Sequence, residues 1–216
     1  MFQNITTIIW DWNGTLLNDI DICIQSMNKV LSKRNMSVLS KSYYRKIFGF
    51  PVINYYKRIG FNFKQESFEK LSIEFIDHYH RSLSTANLFP DAYELLEKFS
   101  SLRYRQVLLS AMEQEALHRS VQNLGILSFF DDIIGLSDHY AHSKIENAKA
   151  YVRMNNINSE NVIIIGDTLH DLEVAQAIGS KCILINNGHQ EINEQQEQGI
   201  TVEKKLKNIF ELMTYS

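Results

Sequence analysis

The sequence predicts an α/β fold, a doubly wound parallel sheet with a helical domain inserted after its first strand. Two observations carry this. Short runs rich in Ile, Val and Leu, without polar alternation, recur between amphipathic helical patterns, as expected of parallel strands covered on both faces. From about Asn18 to Leu83 that rhythm stops and helical periodicity takes over.

Ile5–Trp10 is the first apolar run and the first predicted strand. In the insert, Ile20, Ile24, Met27 and Leu31 mark one helical face and Phe68, Leu71, Phe75 and Tyr79 another, while Gly49, Pro51 and Gly60 interrupt the pattern. Four or so helices are therefore expected over residues 18–83, with residues 1–17 and 84–216 forming the α/β core domain. After Pro90, Asp91–Phe99 reads as a helix with an acidic start, and Gln106–Leu109 as the second strand. Glu113–Asn123 runs to Gly125, a helix stop, and Asp132–Leu136 is a weaker strand. Lys144–Met154 opens with Ser143 and Glu146 at capping-box spacing. Val162–Ile165 and Cys182–Ile185 are strands around the helix Leu172–Ile178, which ends at Gly179. Gln190–Gln198 is polar and reads as a surface segment.

With 216 residues the chain can bury a full core, as one large domain or a domain with an insert. A net charge of −3 gives no reason to expect a nucleic-acid or membrane surface, so any bound phosphate must be attracted by a local site. Cys23 and Cys182 sit among apolar neighbours and predict reduced, structural thiols in a cytoplasmic protein. Neither a signal peptide nor a transmembrane pattern is found, and a monomer or weak homodimer is the expected assembly.

Ligands of open α/β sheets gather at the C-terminal strand ends. There the sequence supplies Asp11-Trp12-Asn13-Gly14-Thr15-Leu16 after the first strand and Ser110-Ala111 after the second. Ser143-Lys144 stands near the third, and Gly166-Asp167-Thr168-Leu169-His170-Asp171 follows the fourth. Three carboxylates brought together repel unless a positive charge lies between them. Mg²⁺ suits that role, because it takes carboxylates, carbonyl oxygens, waters and phosphate oxygens. A hydroxyl, a lysine and backbone N–H groups hold phosphoryl oxygens, and a carboxylate can attack phosphorus. His139, His142 and His170 have a spacing that fits no standard metal site.

In these motifs the chain resembles the haloacid dehalogenase superfamily, specifically its phosphoglycolate phosphatase-like branch, from Ile5 to about Gly188. The resemblance implies a HAD-type Rossmann-like core with an inserted helical cap domain. It implies that Asp11 is the nucleophile, Ser110 and Ala111 the phosphate-binding pair and Lys144 the charge-neutralising cation that also contacts phosphate. Asp11, Asn13 (through its backbone carbonyl) and Asp167 would hold Mg²⁺, with Asp171 supporting the metal shell. The implied activity is Mg²⁺-dependent hydrolysis of a small phosphorylated metabolite, phosphoglycolate-like by default, through an aspartyl-phosphate. Arg45, before Phe48-Gly49-Phe50-Pro51, either reads a substrate carboxylate or second phosphate from the cap or is a solvated arginine beside aromatic packing.

Three positions depart from the pattern. Asn13 stands where relatives carry the Asp that protonates the leaving group and activates water, and an amide does neither at neutral pH. Alkyl phosphates should then turn over slowly, and good leaving groups should suffer less. Ala111 stands where relatives often have Asn, and Ile145 follows Lys144 where many have proline. The alternative left by Asn13 is a catalytically impaired phospholigand-binding or regulatory protein. Metal-independent dehalogenation would leave Asp167 without a task, and Lys41, Lys46 and Lys57 lie in no recognisable Schiff-base motif.

Overall fold

The computed structural model describes residues 2–136, 144–192 and 203–214. In chain order, β1 (Thr7–Trp10) and β2 (Leu17–Asn18) precede four helices, α1 (Ile20–Ser32), α2 (Lys41–Ile47), α3 (Val52–Ile59) and α4 (Phe68–Leu83). Then follow β3 (Asn87–Leu88), α5 (Ala92–Ser101), β4 (Arg105–Glu113), α6 (Gln114–Asn123) and β5 (Asp132–Leu136). The chain continues through α7 (Lys144–Met154), β6 (Val162–Gly166), α8 (Leu169–Ile178), β7 (Lys181–Ile185) and β8 (Lys204–Leu206), and a 3₁₀ segment occupies Ile209–Thr214.

Six strands form one sheet in the order β5-β4-β1-β6-β7-β8, and every pairing is parallel. Alternation along β1 shows why the strands are apolar on both faces. Ile8 and Trp10 enter a core with Leu95, Leu96 and Phe99 of α5 and Leu117 and Val121 of α6. Ile9 enters a second core with Ala148 and Tyr151 of α7 and Leu172, Val174 and Ala175 of α8. The chain passes from β1 to β4 on one side, and later to β6 on the other. That reversal opens a crevice beyond the C-terminal ends of β1, β4 and β6.

The helical insert, α1 to α4, springs from an antiparallel ribbon of β2 and β3. Local signals set its helix ends. Ser40 and Ser67 accept N–H groups of α2 and α4 from Tyr43 and Lys70, both at 3.3 Å. Gly60 closes α3 at φ 111°, a left-handed position that suits glycine. Arg34 ties the insert together, with ion pairs to Glu66 and Glu74, both at 2.6 Å.

The structure departs from the sequence expectation at three edges. β4 runs on to Glu113 instead of stopping at Leu109, with a register shift against β5 between those two residues. α8 begins at Leu169, three residues earlier than expected at Leu172, because Thr168 and Asp171 form a capping box. β8, a sixth strand of only three residues, had no apolar run to announce it. His139, His142 and Ser143, and with Ser143 the capping of Lys144–Met154, lie outside the described residues, as does most of Gln190–Gln198. Gln190 itself is buried, not a surface residue.

Candidate active site

The loop leaving β1 builds the site. The Asp11 N–H still donates to the Ile165 carbonyl of β6 at 2.8 Å, so the carboxylate starts from a fixed backbone. The chain then folds back, and the Trp12 carbonyl accepts the N–H groups of Thr15, Leu16 and Leu17 at 3.3, 3.1 and 2.9 Å. Gly14 turns at φ +79°, and a Cβ there would overlap the Asp167 carboxylate and the His189 ring. Only glycine satisfies both the dihedral and the close approach.

Lys144, the first residue of α7, donates to Asp11 Oδ1 and, at 2.5 Å, to Asp171 Oδ1. The Thr15 hydroxyl lies 3.0 Å from Asp11 Oδ2 and 3.1 Å from Asp167 Oδ1, and its one proton can serve only one of them at a time. Asp167 Oδ2 accepts the His189 N–H at 2.5 Å. All of these side chains are buried. Burial pushes the Asp11 carboxyl up, against the pull of Lys144. Burial also drives Asp167 well above the ordinary range, aided by the charges of Asp11 and Asp171. For Asp171 burial is outweighed by Lys144 and the Thr168 hydrogen bonds, which hold it below the usual carboxylate range. Burial disfavours the Lys144 charge, but its two carboxylate partners overcome this and keep it protonated.

Asp171 was expected to support a metal shell. Its Oδ2 accepts the Thr168 N–H and hydroxyl at 3.0 and 2.8 Å while Oδ1 holds Lys144, so it acts on Asp11 through Lys144. Ser110 lies within β4, just beyond the last residue paired with β1, Leu108. Its Oγ accepts the Met112 N–H at 3.1 Å and lies 3.4 Å from Asn13 Oδ1, to which it donates. Ala111 next to it is exposed. The crevice thus gathers Asp11, Asn13, Ser110, Ala111, Lys144, Asp167 and Asp171. Arg45 is placed elsewhere. Its guanidinium donates to the carbonyls of Gly188 and Asn186, both at 2.8 Å, which ties α2 of the insert to the loop after β7.

A second buried network adjoins the first. Asp19, which is 0% exposed, accepts the Gly14 N–H at 3.1 Å and His189 Nε2 at 3.0 Å through Oδ1. Its Oδ2 accepts Asn13 Nδ2 at 2.9 Å and the Tyr79 hydroxyl at 2.8 Å. The other His189 nitrogen lies 2.8 Å from the Tyr44 hydroxyl of α2. Burial works against the imidazolium, but Asp19 outweighs it and raises His189 to about 9. Burial likewise opposes the Asp19 charge, and His189 and Tyr79 reverse that, leaving the carboxyl below its ordinary range. Sequence reading missed this network. Asp19 was not singled out, and the strand-end test stopped before the fifth apolar run, Cys182–Ile185. Extended to β7, it would have exposed Asn186-Asn187-Gly188-His189.

Among the described residues, four buried carboxylates (Asp11, Asp19, Asp167, Asp171) thus face two buried cations (Lys144, His189). The oxygens of Asp11, Asp167 and Asp171 lie within 4.8 Å of one another, and no hydrogen bond reaches the Asn13 carbonyl from a described residue. Asp11 and Asp167, which share one hydroxyl proton, therefore fit a small divalent cation. Asp19, Cys23 and His189 form a comparable group, but they already bond one another.

A model of the family described as haloacid dehalogenase-like hydrolase matches residues 8–185. The chain is 24% identical over 179 residues to the pyrophosphatase PpaX of Oceanobacillus iheyensis, covering 81% of this chain and 80% of that one. A haloacid dehalogenase-like hydrolase from Streptococcus pneumoniae superposes with a TM-score of 0.83 at 24% identity, covering 99% of both chains. The predicted phosphoglycolate phosphatase of Haemophilus somnus gives a TM-score of 0.79 at 16% identity over 98% of both. No helix among the described residues is long and apolar enough to cross a membrane.

Proposed function

Because this chain belongs to the haloacid dehalogenase-like hydrolase family, we propose that it is a Mg²⁺-dependent phosphatase of a small phosphorylated metabolite, with Asp11 as the nucleophile. The observation that carries this is the setting of Asp11, a buried carboxylate with one oxygen fixed by Lys144 and the other beside Thr15 and Asp167. One Asp11 oxygen attacks phosphorus, the bond to the leaving oxygen breaks, and an aspartyl-phosphate forms. Water then attacks that phosphorus, releases phosphate and restores the carboxylate. Lys144 orients Asp11 and offsets charge on the phosphoryl group, while Ser110 and the irregular backbone at Ala111 hold its oxygens. Asp11, Asp167 and the Asn13 carbonyl would hold Mg²⁺, which when bound supplies electrostatic stabilisation of the phosphoryl oxygens.

The names of the relatives point to two substrates, pyrophosphate and phosphoglycolate. A phosphate-release assay with Mg²⁺ on both, repeated in EDTA and with Asp11→Asn, tests the proposal. Release that vanishes in both controls is expected. Equal release by Asp11→Asn would remove Asp11 from the chemistry. A second reading, a phospholigand-binding regulatory protein, is favoured by Asn13 alone. It expects saturable ligand binding with no release from any phosphate compound.

A further inference from the structure

The amide of Asn13 has only one orientation compatible with its neighbours. Asp19 Oδ2 is a pure acceptor 2.9 Å away, so the Asn13 atom facing it must be the NH₂ group, which also donates to the Tyr79 hydroxyl at 2.8 Å. Reversing the amide would set two oxygens against each other inside a buried cluster. The Asn13 carbonyl oxygen is therefore turned toward Ser110, 3.4 Å away, on the side where the phosphoryl group would lie. That edge accepts hydrogen bonds and donates none.

The same geometry explains the residue type. Asp19 is fully buried and held by the Gly14 N–H, His189, Tyr79 and Asn13, with the Cys23 thiol also against it. A carboxylate at position 13 would stand against the Asp19 carboxylate at hydrogen-bond distance, and like charges so close are strongly unfavourable without a shared proton. Asn13 and Asp19 are a matched pair, with the acid at 19 requiring an amide at 13.

We infer that Asp19, with Tyr79 from the insert, is a positioning residue that fixes Asn13 as an acceptor and so commits the site to substrates whose leaving group departs without a proton. These are acyl phosphates and phosphoanhydrides, in preference to alkyl phosphate esters. The inference rests on the phosphatase reading and names its substrate class. In the first step the Asp11 oxygen–phosphorus bond forms as the bond to the leaving oxygen breaks, and the electron pair stays on that oxygen. A carboxylate, whose conjugate acid has a pKa near ~4, leaves readily in that form. An alkoxide, whose conjugate acid is far weaker, does not. In the second step the attacking water's proton is carried away by the phosphate product.

The test is kcat/KM, which reports the first step, for acetyl phosphate, pyrophosphate, 4-nitrophenyl phosphate, phenyl phosphate and glycerol phosphate with Mg²⁺. On the unaltered protein it is expected to fall by about 10³-fold or more from acetyl phosphate to glycerol phosphate, consistent with the roughly 10²–10⁴-fold that general acid help supplies elsewhere. Asn13→Asp alone should recover little, whereas Asn13→Asp with Asp19→Asn should raise the glycerol phosphate to acetyl phosphate ratio by ~10²–10⁴. Glycerol phosphate within tenfold of acetyl phosphate on the unaltered protein would overturn the inference and leave the phosphatase standing, and this arm needs no variant to fold. Full recovery by Asn13→Asp alone would remove Asp19 from the account. No release from any of the five compounds would end the phosphatase reading and this inference with it.

Discussion

Two buried ion pairs flank the loop that leaves β1, and they differ in almost everything but burial. Lys144 sits between Asp11 and Asp171, all three contributed by the α/β core. His189 faces Asp19, and through Tyr44 and Tyr79 this pair reaches two helices of the insert. Removing one member of a buried pair leaves an uncompensated charge, at about 3–5 kcal/mol, yet replacing the whole pair by apolar groups is often neutral. Stability alone therefore explains neither pair. The first pair holds the proposed nucleophile, Asp11; the second holds Asn13 and joins the insert to the core.

The largest effect is expected on the core side. Lys144→Met should lower kcat by roughly 10²–10³, the usual loss when one preorganised electrostatic partner of a reacting group is removed. It should also release Asp171 to its capping role alone and let the Asp11 carboxyl rise further. Single-turnover assays with 4-nitrophenyl phosphate check it. If the variant turns over at the unaltered rate, the Lys144 pair is structural and the contrast between the pairs fails.

The second pair should show itself first in stability. His189 carries a folded-state pKa of about 9 against an ordinary 6.5, and the groups facing it are Asp19, Tyr44, Asp167 and Asp11. The folded state therefore holds the proton more tightly than the unfolded one. That stabilisation is complete below pH 6.5 and disappears as pH rises through 9. Its size is of the order of 3 kcal/mol. Urea melts in EDTA should show the protein weakening across this window, and His189→Gln should flatten the profile there. A His189→Gln profile parallel to the unaltered one would mean that the imidazolium does not hold the insert.

Legibility in sequence divides along the same line. The strands were readable because a doubly covered sheet demands apolar residues on both faces, and Asp11, Ser110, Lys144 and Asp167 because topology puts strand ends together. Asp19 and His189 were not readable from local pattern. They are 170 residues apart, and each gains meaning only when the insert brings Tyr79 and Tyr44 onto the core. Asp171 was placed near the site from its motif, while its bonds to Thr168 and Lys144 were not readable, because one carboxylate can cap a helix and hold a lysine together. β8 escaped notice because a short edge strand such as Lys204–Leu206 needs only one buried side chain, Leu206.

Arg45 gives the smallest expected effect and the sharpest division between substrate reading and domain docking. Its guanidinium holds the Gly188 and Asn186 carbonyls, and its own carbonyl accepts the Glu191 N–H at 2.9 Å. Those contacts end one residue from His189, whose N–H holds Asp167. Arg45→Ala removes the guanidinium contacts and keeps the backbone one, so a loss of about 1–3 kcal/mol in stability is expected from two hydrogen bonds to a charged donor. As a docking residue, Arg45 should change KM for phosphoglycolate and 4-nitrophenyl phosphate by the same factor. A carboxylate reader would raise KM for phosphoglycolate alone. Equal shifts would therefore assign Arg45 to the His189 side of the comparison, as part of what seats the insert, and unequal shifts would return it to the substrate.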